Sequence, residues 1–209
     1  MAATHPSTEQ LRDLVRALSG NTELEHLELD LSENALGVVG ANLLAIELKQ
    51  FWSLSVLNVA DNAFKDKGLS ILCDALSEND RLTRLNLSDN FDLVALRKAK
   101  ANTSLFSESL GNFVTGEKCQ LVELTLTSTQ RATQMKGELC AILVDIGLNR
   151  TITHLDLSGQ GLEYQGFVGL NKMLQVLWKK KIEKKKKKKT PDFSFILFVV
   201  EQDTSKAVH

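Results

Sequence analysis

Leucine falls at the first, fourth and sixth places of LTRLNLSDN (Leu82 to Asn90), with polar residues between them and an asparagine at the close. The same spacing returns in LSVLNVADN (Leu54 to Asn62), LVELTLTST (Leu121 to Thr129) and ITHLDLSGQ (Ile152 to Gln160), and in a longer form in LEHLELDLSEN (Leu24 to Asn34). The closing residues lie 28 (Asn34 to Asn62), 28 (to Asn90), 39 (to Thr129) and 31 (to Gln160) positions apart. Apolar and polar residues alternating over so few positions predict a short strand buried on one face. Between these stretches the apolar period changes to i, i+3, i+4 and i+7, the mark of one helix face. Ala41, Leu44, Ala45 and Leu48 follow it, as do Leu69, Leu72, Cys73 and Leu76, then Leu139, Ile142, Leu143 and Ile146, and finally Phe167, Leu170, Asn171 and Leu174. Each unit reads as a strand followed by a helix.

Self-similarity at this period, with leucine-xx-leucine-x-leucine-xx-asparagine as its unit, is the leucine-rich-repeat signature. The fold class that follows is α/β: a leucine-rich-repeat solenoid, a ribonuclease-inhibitor-like horseshoe arc of about five strand-helix repeats. Residues 1–23 form an N-terminal helix of a partial repeat or cap, because Leu11 to Leu24 overlays Leu69 to Leu82 with its apolar positions in step. Ser7 and Gln10 stand at the spacing of a capping box at its start. The repeats occupy 24–178, with an insertion at about 91–109 that lengthens the third step and precedes a helix containing Leu110, Phe113 and Val114. In the first repeat two frames compete: counting from the helix selects Leu24, Leu27 and Leu29, while counting back from Asn34 selects His26, Leu29 and Leu31, so two extra residues must bulge near Asp30. The closing asparagines are expected to bond backbone groups that the turn leaves unpaired, and Thr129 and Gln160 to do this less well, giving looser turns.

Residues beside the core leucines point away from them by the two-residue alternation of a strand, which places them in rows on the concave face. Those rows are Glu28 and Asp30, Val56 and Asn58, Arg84 and Asn86, Glu123 and Thr125, His154 and Asp156. Glu28, Asp30, Asn58, Arg84, Asn86, Glu123, His154 and Asp156 are thus the candidate protein-binding residues, and their acidic balance favours a partner offering basic or polar groups. A solvated concave face, with binding on a rim or on the helix side, is the competing reading.

Composition narrows the function further. Hydrophobic residues make up 43% of the 209 and charged residues 24%, enough apolar material for a core. The net charge of -1 hides an acidic body near -7 over residues 1 to 178 and a lysine run from Lys179 to Lys189. An acidic body argues against nucleic acid as partner. Cys73, Cys119 and Cys140 form no CxxC pair and no apolar leader opens the chain, so a reduced, cytoplasmic protein is expected. The N-x-S/T triplets at Asn102 and Asn149 carry weight only in a secreted chain. No phosphate-binding, nucleophile-elbow or zinc-protease motif occurs, His26 and His154 have no ligand partners at metal spacing, and Cys73 sits at a core position. The expectation is a non-enzymatic chain with no cofactor and no metal.

Residues 179–209 break the pattern. A leucine opening the next strand is due six residues after Leu174, and Lys180 stands there instead. The segment reads as an anionic-membrane contact through Lys179 to Lys189, as a nuclear signal, or as a non-native or disordered tail. Phe193 to Val200 is too short to span a bilayer.

Three particulars carry a family resemblance: TELEHLELDLSENALG (Thr22 to Gly37) with its expansion, LNLSDNF (Leu85 to Phe91) followed by the long basic and serine-containing insertion before LVELTLTST, and NRTITHLDLSGQGLEYQG (Asn149 to Gly166). Over about residues 10 to 178 the chain resembles the leucine-rich-repeat region of the CARMIL family, the capping protein, Arp2/3 and myosin-I linkers. The resemblance implies a cytoplasmic scaffold at the cell cortex or leading edge that takes part in regulating actin capping protein and filament assembly. It implies protein partners from the actin machinery; a homodimer is a separate arrangement open to the chain. In that family capping protein is held by a disordered segment beyond the repeats, and nothing here matches that segment, so uncapping is not expected of this chain. Alternatives are a ribonuclease-inhibitor-like or innate-sensor repeat protein, and a peripheral membrane protein using the lysine run.

Overall fold

The computed structural model describes residues 7–21, 23–49, 51–92, 104–186 and 195–199. In chain order these form α1 (Thr8–Ser19), β1 (Leu27–Asp30), α2 (Gly37–Leu48), β2 (Leu54–Asn58), α3 (Lys65–Leu76), β3 (Arg84–Asn86), α4 (Leu105–Thr115), β4 (Glu123–Thr125), α5 (Leu139–Leu148), β5 (His154–Asp156), α6 (Tyr164–Lys186) and β6 (Ile196–Phe198). Two single 3-10 turns, Arg131–Thr133 and Lys136–Glu138, lead into α5. The strands make one parallel sheet in the order β1 to β6, and each helix packs on the next. One core lies between the sheet and the helices. It is built from the motif leucines, which are almost fully buried: Leu54, Leu57, Leu82, Leu85, Leu121, Leu124, Ile152 and Leu155. The repeat architecture is as the leucine spacing predicts.

Local signals account for the helix starts. The Ser7 hydroxyl accepts from Gln10 N at 3.2 Å and the Gln10 side chain accepts from Ser7 N at 2.9 Å, so the capping box satisfies two first-turn donors of α1. At α4 the Ser104 hydroxyl accepts from Ser107 N at 3.1 Å, while Asp66 on the preceding helix accepts from the backbone of Leu105 and Phe106 and from Ser104 Oγ. A carboxylate on α3 thus caps α4 across the gap, where the helix dipole favours negative charge. Phe91 and Phe106, both buried and with rings 6.3 Å apart, join the core near the two ends of the insertion. Residues 93–103 of that insertion lie outside the described residues.

The asparagines form a ladder. Asn62 Nδ2 donates to the carbonyls of Leu31, Val59 and Ala60, and its Oδ1 accepts from Asn34 N at 3.0 Å and Leu36 N at 3.3 Å. Asn90 repeats this with Val59, Leu87 and Ser88 as acceptors and with Asn62 N and Phe64 N as donors. Each amide joins its own turn to the preceding one. The residue before each of these asparagines has positive φ, 59° at Glu33, 50° at Asp61 and 54° at Asp89, a conformation the turn requires of a non-glycine residue.

Four expectations change. No bulge stands at Asp30, which pairs in register with Asn58; the pairing of β1 with β2 shifts instead between Leu27 and Glu28, where Leu27 faces Leu54, Glu28 faces Val56 and Ser55 of β2 is left unmatched. Its hydroxyl donates to the Leu27 carbonyl at 3.0 Å and occupies the extra space. Beyond that step the count from Asn34 holds, with Leu29 and Leu31 buried and His26 exposed.

Gln160 does not loosen its turn. It is 3% exposed, donates through Nε2 to Leu126 O at 2.6 Å and accepts from Met135 N at 2.7 Å. One more methylene lets the amide bridge a wider gap. Thr129, by contrast, is exposed and makes no such bridge.

The buried face of α6 is Gly166, Gly169, Met173 and Leu177, whereas Phe167 and Leu174 are 50% and 46% exposed and Asn171 is exposed. Of the four positions that the i, i+3, i+4, i+7 period selects, only Leu170 packs against the core. The helix runs on for 23 residues.

Nor does the repeat end at Trp178. Lys180 donates to Gly147 O at 2.6 Å and Asn149 O at 2.8 Å, satisfying carbonyls at the end of α5, and Ile196–Phe198 forms a sixth strand with Leu197 opposite Leu155. A segment read as non-native or disordered therefore contributes a helix end and a strand to the array, while 187–194 and 200–209 lie outside the described residues.

Candidate protein-binding face

Parallel pairing sets the two rows out as the alternation predicts. Glu28, Val56, Arg84, Glu123, His154 and Ile196 are successive partners in one row; Asp30, Asn58, Asn86, Thr125, Asp156 and Phe198 make the other. All eight sequence-predicted site residues are therefore brought to one sheet face. They are not equally available.

In the second row the side chains hold the strand ends. Asp30 Oδ1 accepts from Ser32 N and Ser32 Oγ at 2.9 and 2.7 Å, and Asp156 Oδ1 from Ser158 N and Ser158 Oγ at 2.9 and 2.6 Å. Asn58 accepts from Ala60 N, and Asn86 from Ser88 N. These are Asx-turns, a local use of short polar side chains after a strand. The bonds from Ser32, first its hydroxyl and then its backbone N–H, hold the Asp30 carboxyl below the usual carboxylate range, with a further bond from Asn58 Nδ2 at 3.0 Å. An Asx-x-Ser pattern follows the core leucine at Asp30, Asn86 and Asp156, while Asn58 makes the same turn with Ala60 in the place of the serine.

The first row is freer. Arg84 Nη2 lies 2.6 Å from Glu28 Oε1, reaching over Val56, with the two side chains 48% and 69% exposed. An ion pair so exposed contributes little to stability but fixes the guanidinium in place. Glu123 is the next residue in the row and is exposed, and His154 is half-buried with Nδ1 2.9 Å from Thr153 Oγ1. A shallow depression of about 170 Å³ runs between Val56, Asn58, Arg84, Asn86, Glu123 and Thr125. At the start of the strands a larger cleft of about 670 Å³ opens between Glu25, His26, Glu28, Arg81 and Arg84. Sequence reasoning missed Glu25, His26 and Arg81 because they precede the strands and carry no period. A pair of clefts lined by both charge signs suits an extended or loop-like polar protein surface.

Three other sequence readings are settled by position. Cys73 is fully buried on α3, and burial pushes its thiol far above the usual range. Cys119 is buried too, with its thiol raised by desolvation. Asn149 is 7% exposed and donates to Val114 O at 2.6 Å, so its N-x-S/T triplet is closed to modification in the folded chain. Among the described residues no group of three His, Cys, Asp or Glu is placed to hold a metal ion, and no helix is long and apolar enough to cross a membrane.

With this geometry in hand, comparisons with known proteins become specific. A family model described as "Leucine Rich repeat" matches residues 53–73, the segment from the second strand into α3. Protein CARMIL of Dictyostelium discoideum is 31% identical over 176 residues, covering 84% of this chain and 16% of its own length. The human "Capping protein, Arp2/3 and myosin-I linker protein 3" is 32% identical over the same share of this chain and 12% of its own. The chain belongs to the CARMIL family of leucine-rich-repeat proteins. It spans less than a fifth of the length of those relatives. Among solved structures, the tropomodulin C-terminal domain of Caenorhabditis elegans superposes with a TM-score of 0.57 at 12% identity, over 88% of this chain and all of that one, a likeness of fold.

Proposed function

We propose that this CARMIL-family array is a non-enzymatic scaffold for actin filament assembly, binding protein partners through the first row of its concave face, in the cytoplasm at the cell cortex. The observation that carries this reading is the division of labour across the sheet: Asp30, Asn58, Asn86 and Asp156 of one row are spent on turns, while Glu28, Arg84, Glu123 and His154 of the other stand in register. A rigid parallel sheet holds them at fixed spacing, so a partner meets a preordered set of charges and the entropic cost of binding is small. The relatives are named as linkers of capping protein, Arp2/3 and myosin-I, which supplies the partner class. Surface plasmon resonance of the 209-residue chain against capping-protein heterodimer, Arp2/3 complex and a myosin-I tail tests it. Binding to one of them that Arg84→Glu and Glu123→Lys weaken by about tenfold supports the reading. Failure to bind all three, or binding indifferent to both substitutions, contradicts it.

A further inference from the structure

Away from the concave face, a cleft of about 490 Å³ opens on the helix side of the array, lined by Ser107 on α4, Glu138, Cys140, Val144 and Asp145 on or just before α5, and Lys172 on α6. Two of its polar groups are without partners among the described residues. Ser107 Oγ is buried, in a residue 7% exposed, and has no hydrogen-bond partner. The Asp145 carboxylate makes no hydrogen bond or ion pair, and burial pushes its pKa up from the ordinary carboxylate value with nothing to offset it. Buried polar groups are nearly always paired, so the unpaired Ser107 hydroxyl, in a cleft that also holds a carboxylate without a protein partner, calls for an explanation.

Gly111 shows that the arrangement is built in. It lies one turn beyond Ser107 on the same face of α4, and a Cβ there would collide with Asp145 Oδ2. An alanine at 111 would favour the helix, yet only glycine leaves the carboxylate its place beside α4. The cleft thus offers a hydroxyl from one helix and a carboxylate from the next, beside the aliphatic walls of Ala141 and Val144, with Glu138 and Asp145 outweighing Lys172 in charge.

We infer that this cleft is a second protein-binding site, which receives an arginine side chain from a partner. A guanidinium carries several N–H donors in a planar fork, so it can reach two acceptors on neighbouring helices at once, while its stem lies against the apolar wall. A lysine ammonium is a compact point charge, less suited to acceptors set apart. The site is separate from the concave face and does not depend on the role proposed for that face.

The test is a titration of the isotopically labelled 209-residue chain with N-acetyl-arginine-methylamide, followed by NMR, with the isosteric but uncharged citrulline analogue as control. The arginine probe is expected to shift the amides of Ser107, Gly111, Cys140 and Asp145 saturably, and to slow maleimide labelling of Cys140, since the other two cysteines are buried. Asp145→Asn should weaken the arginine probe by about tenfold or more, the loss expected for a hydrogen bond to a charged group. Gly111→Ala, which keeps the charge but closes its niche, should do the same, while Arg84→Glu on the far face should change nothing. Equal shifts from the citrulline probe, shifts spread over the whole surface, or arginine binding unchanged in both cleft variants would overturn the proposal.

Discussion

The first three repeats and the last two solve one problem with different side chains. Between Asn34 and Asn90 the step is always 28 residues, and an asparagine amide bridges each turn to its neighbour. Across the insertion the step becomes 39, and the network is rebuilt around Asp89, whose carboxylate accepts from Thr129 N at 2.8 Å, Thr129 Oγ1 at 2.9 Å and Thr133 Oγ1 at 2.6 Å. Ser128, rather than Thr129, is the residue buried in that turn, bonded to Gln130 O and Thr133 Oγ1. Further on, Gln160 restores the bridge with a longer arm, preceded by Gly159 at a φ of 76°, where any Cβ would strike the Ser128 carbonyl. The backbone demands are constant through the array. What varies is which side chain reaches them.

The largest effects should ignore this difference. Leu85→Asp and Leu155→Asp place an unpaired charge at equally buried positions, so each should cost about 4 kcal/mol or more and leave little folded chain in a urea melt. A much milder result at Leu155 would mean that the late repeats are loosely packed. Next in size, Asn90→Ala strips partners from carbonyls in two turns and from two amide donors, at roughly 2–4 kcal/mol. Thr129→Ala at the matching place in the sequence should cost under about 1 kcal/mol, because Asp89 still holds its backbone N–H. Similar losses from those two substitutions, compared by thermal denaturation, would erase the contrast between the halves. Gln160→Asn, which looks conservative and restores the repeat consensus, should destabilise by about 1 kcal/mol, since the shorter arm cannot serve both Leu126 O and Met135 N.

The smallest effect concerns Asp145. Its folded pKa is raised by burial, so the folded state favours the protonated form, and the ionised form weakens the fold as pH rises from about 4 toward and through the raised value. Asp145→Asn should therefore gain slightly in Tm relative to the parent at neutral pH, with the gain fading as pH falls. A loss of Tm at neutral pH would show that the carboxylate has a stabilising partner.

These contrasts also explain what was legible in the sequence. The strands, the helix sequence and both outward rows follow from leucine spacing, because burial of one strand face leaves a two-residue period that survives any change of partner. The bridging duty of Gln160 was hidden because the motif names a residue type, whereas the fold requires an amide within reach. The α6 face was hidden because two of its buried positions, Gly166 and Gly169, carry no side chain to mark an apolar stripe. β6 has three residues and only Leu197 turns inward, too short a run to show a period. On the candidate face, residue placement was readable from alternation, but the duty of Asp30, Asn58, Asn86 and Asp156 in turns emerged only with the hydrogen bonds. The cleft beside Asp145 had no signal at all, because Ser107, Gly111 and Asp145 meet only through packing of α4 on α5.

Neighbouring residues of one strand separate the core face of the sheet from its outward face most directly. Leu85 points into the core and Arg84 out of it, so the Tm and the binding of Leu85→Asp and Arg84→Glu should be measured side by side with the parent chain. Leu85→Asp should lose its folding transition, while Arg84→Glu should keep its Tm within a degree or two, as expected for an exposed pair worth about 0.5 kcal/mol, and lose affinity for the actin-assembly protein that the parent binds. Equal losses of Tm from the two substitutions would contradict the division of the strand into a face that holds the array together and a face that meets the partner.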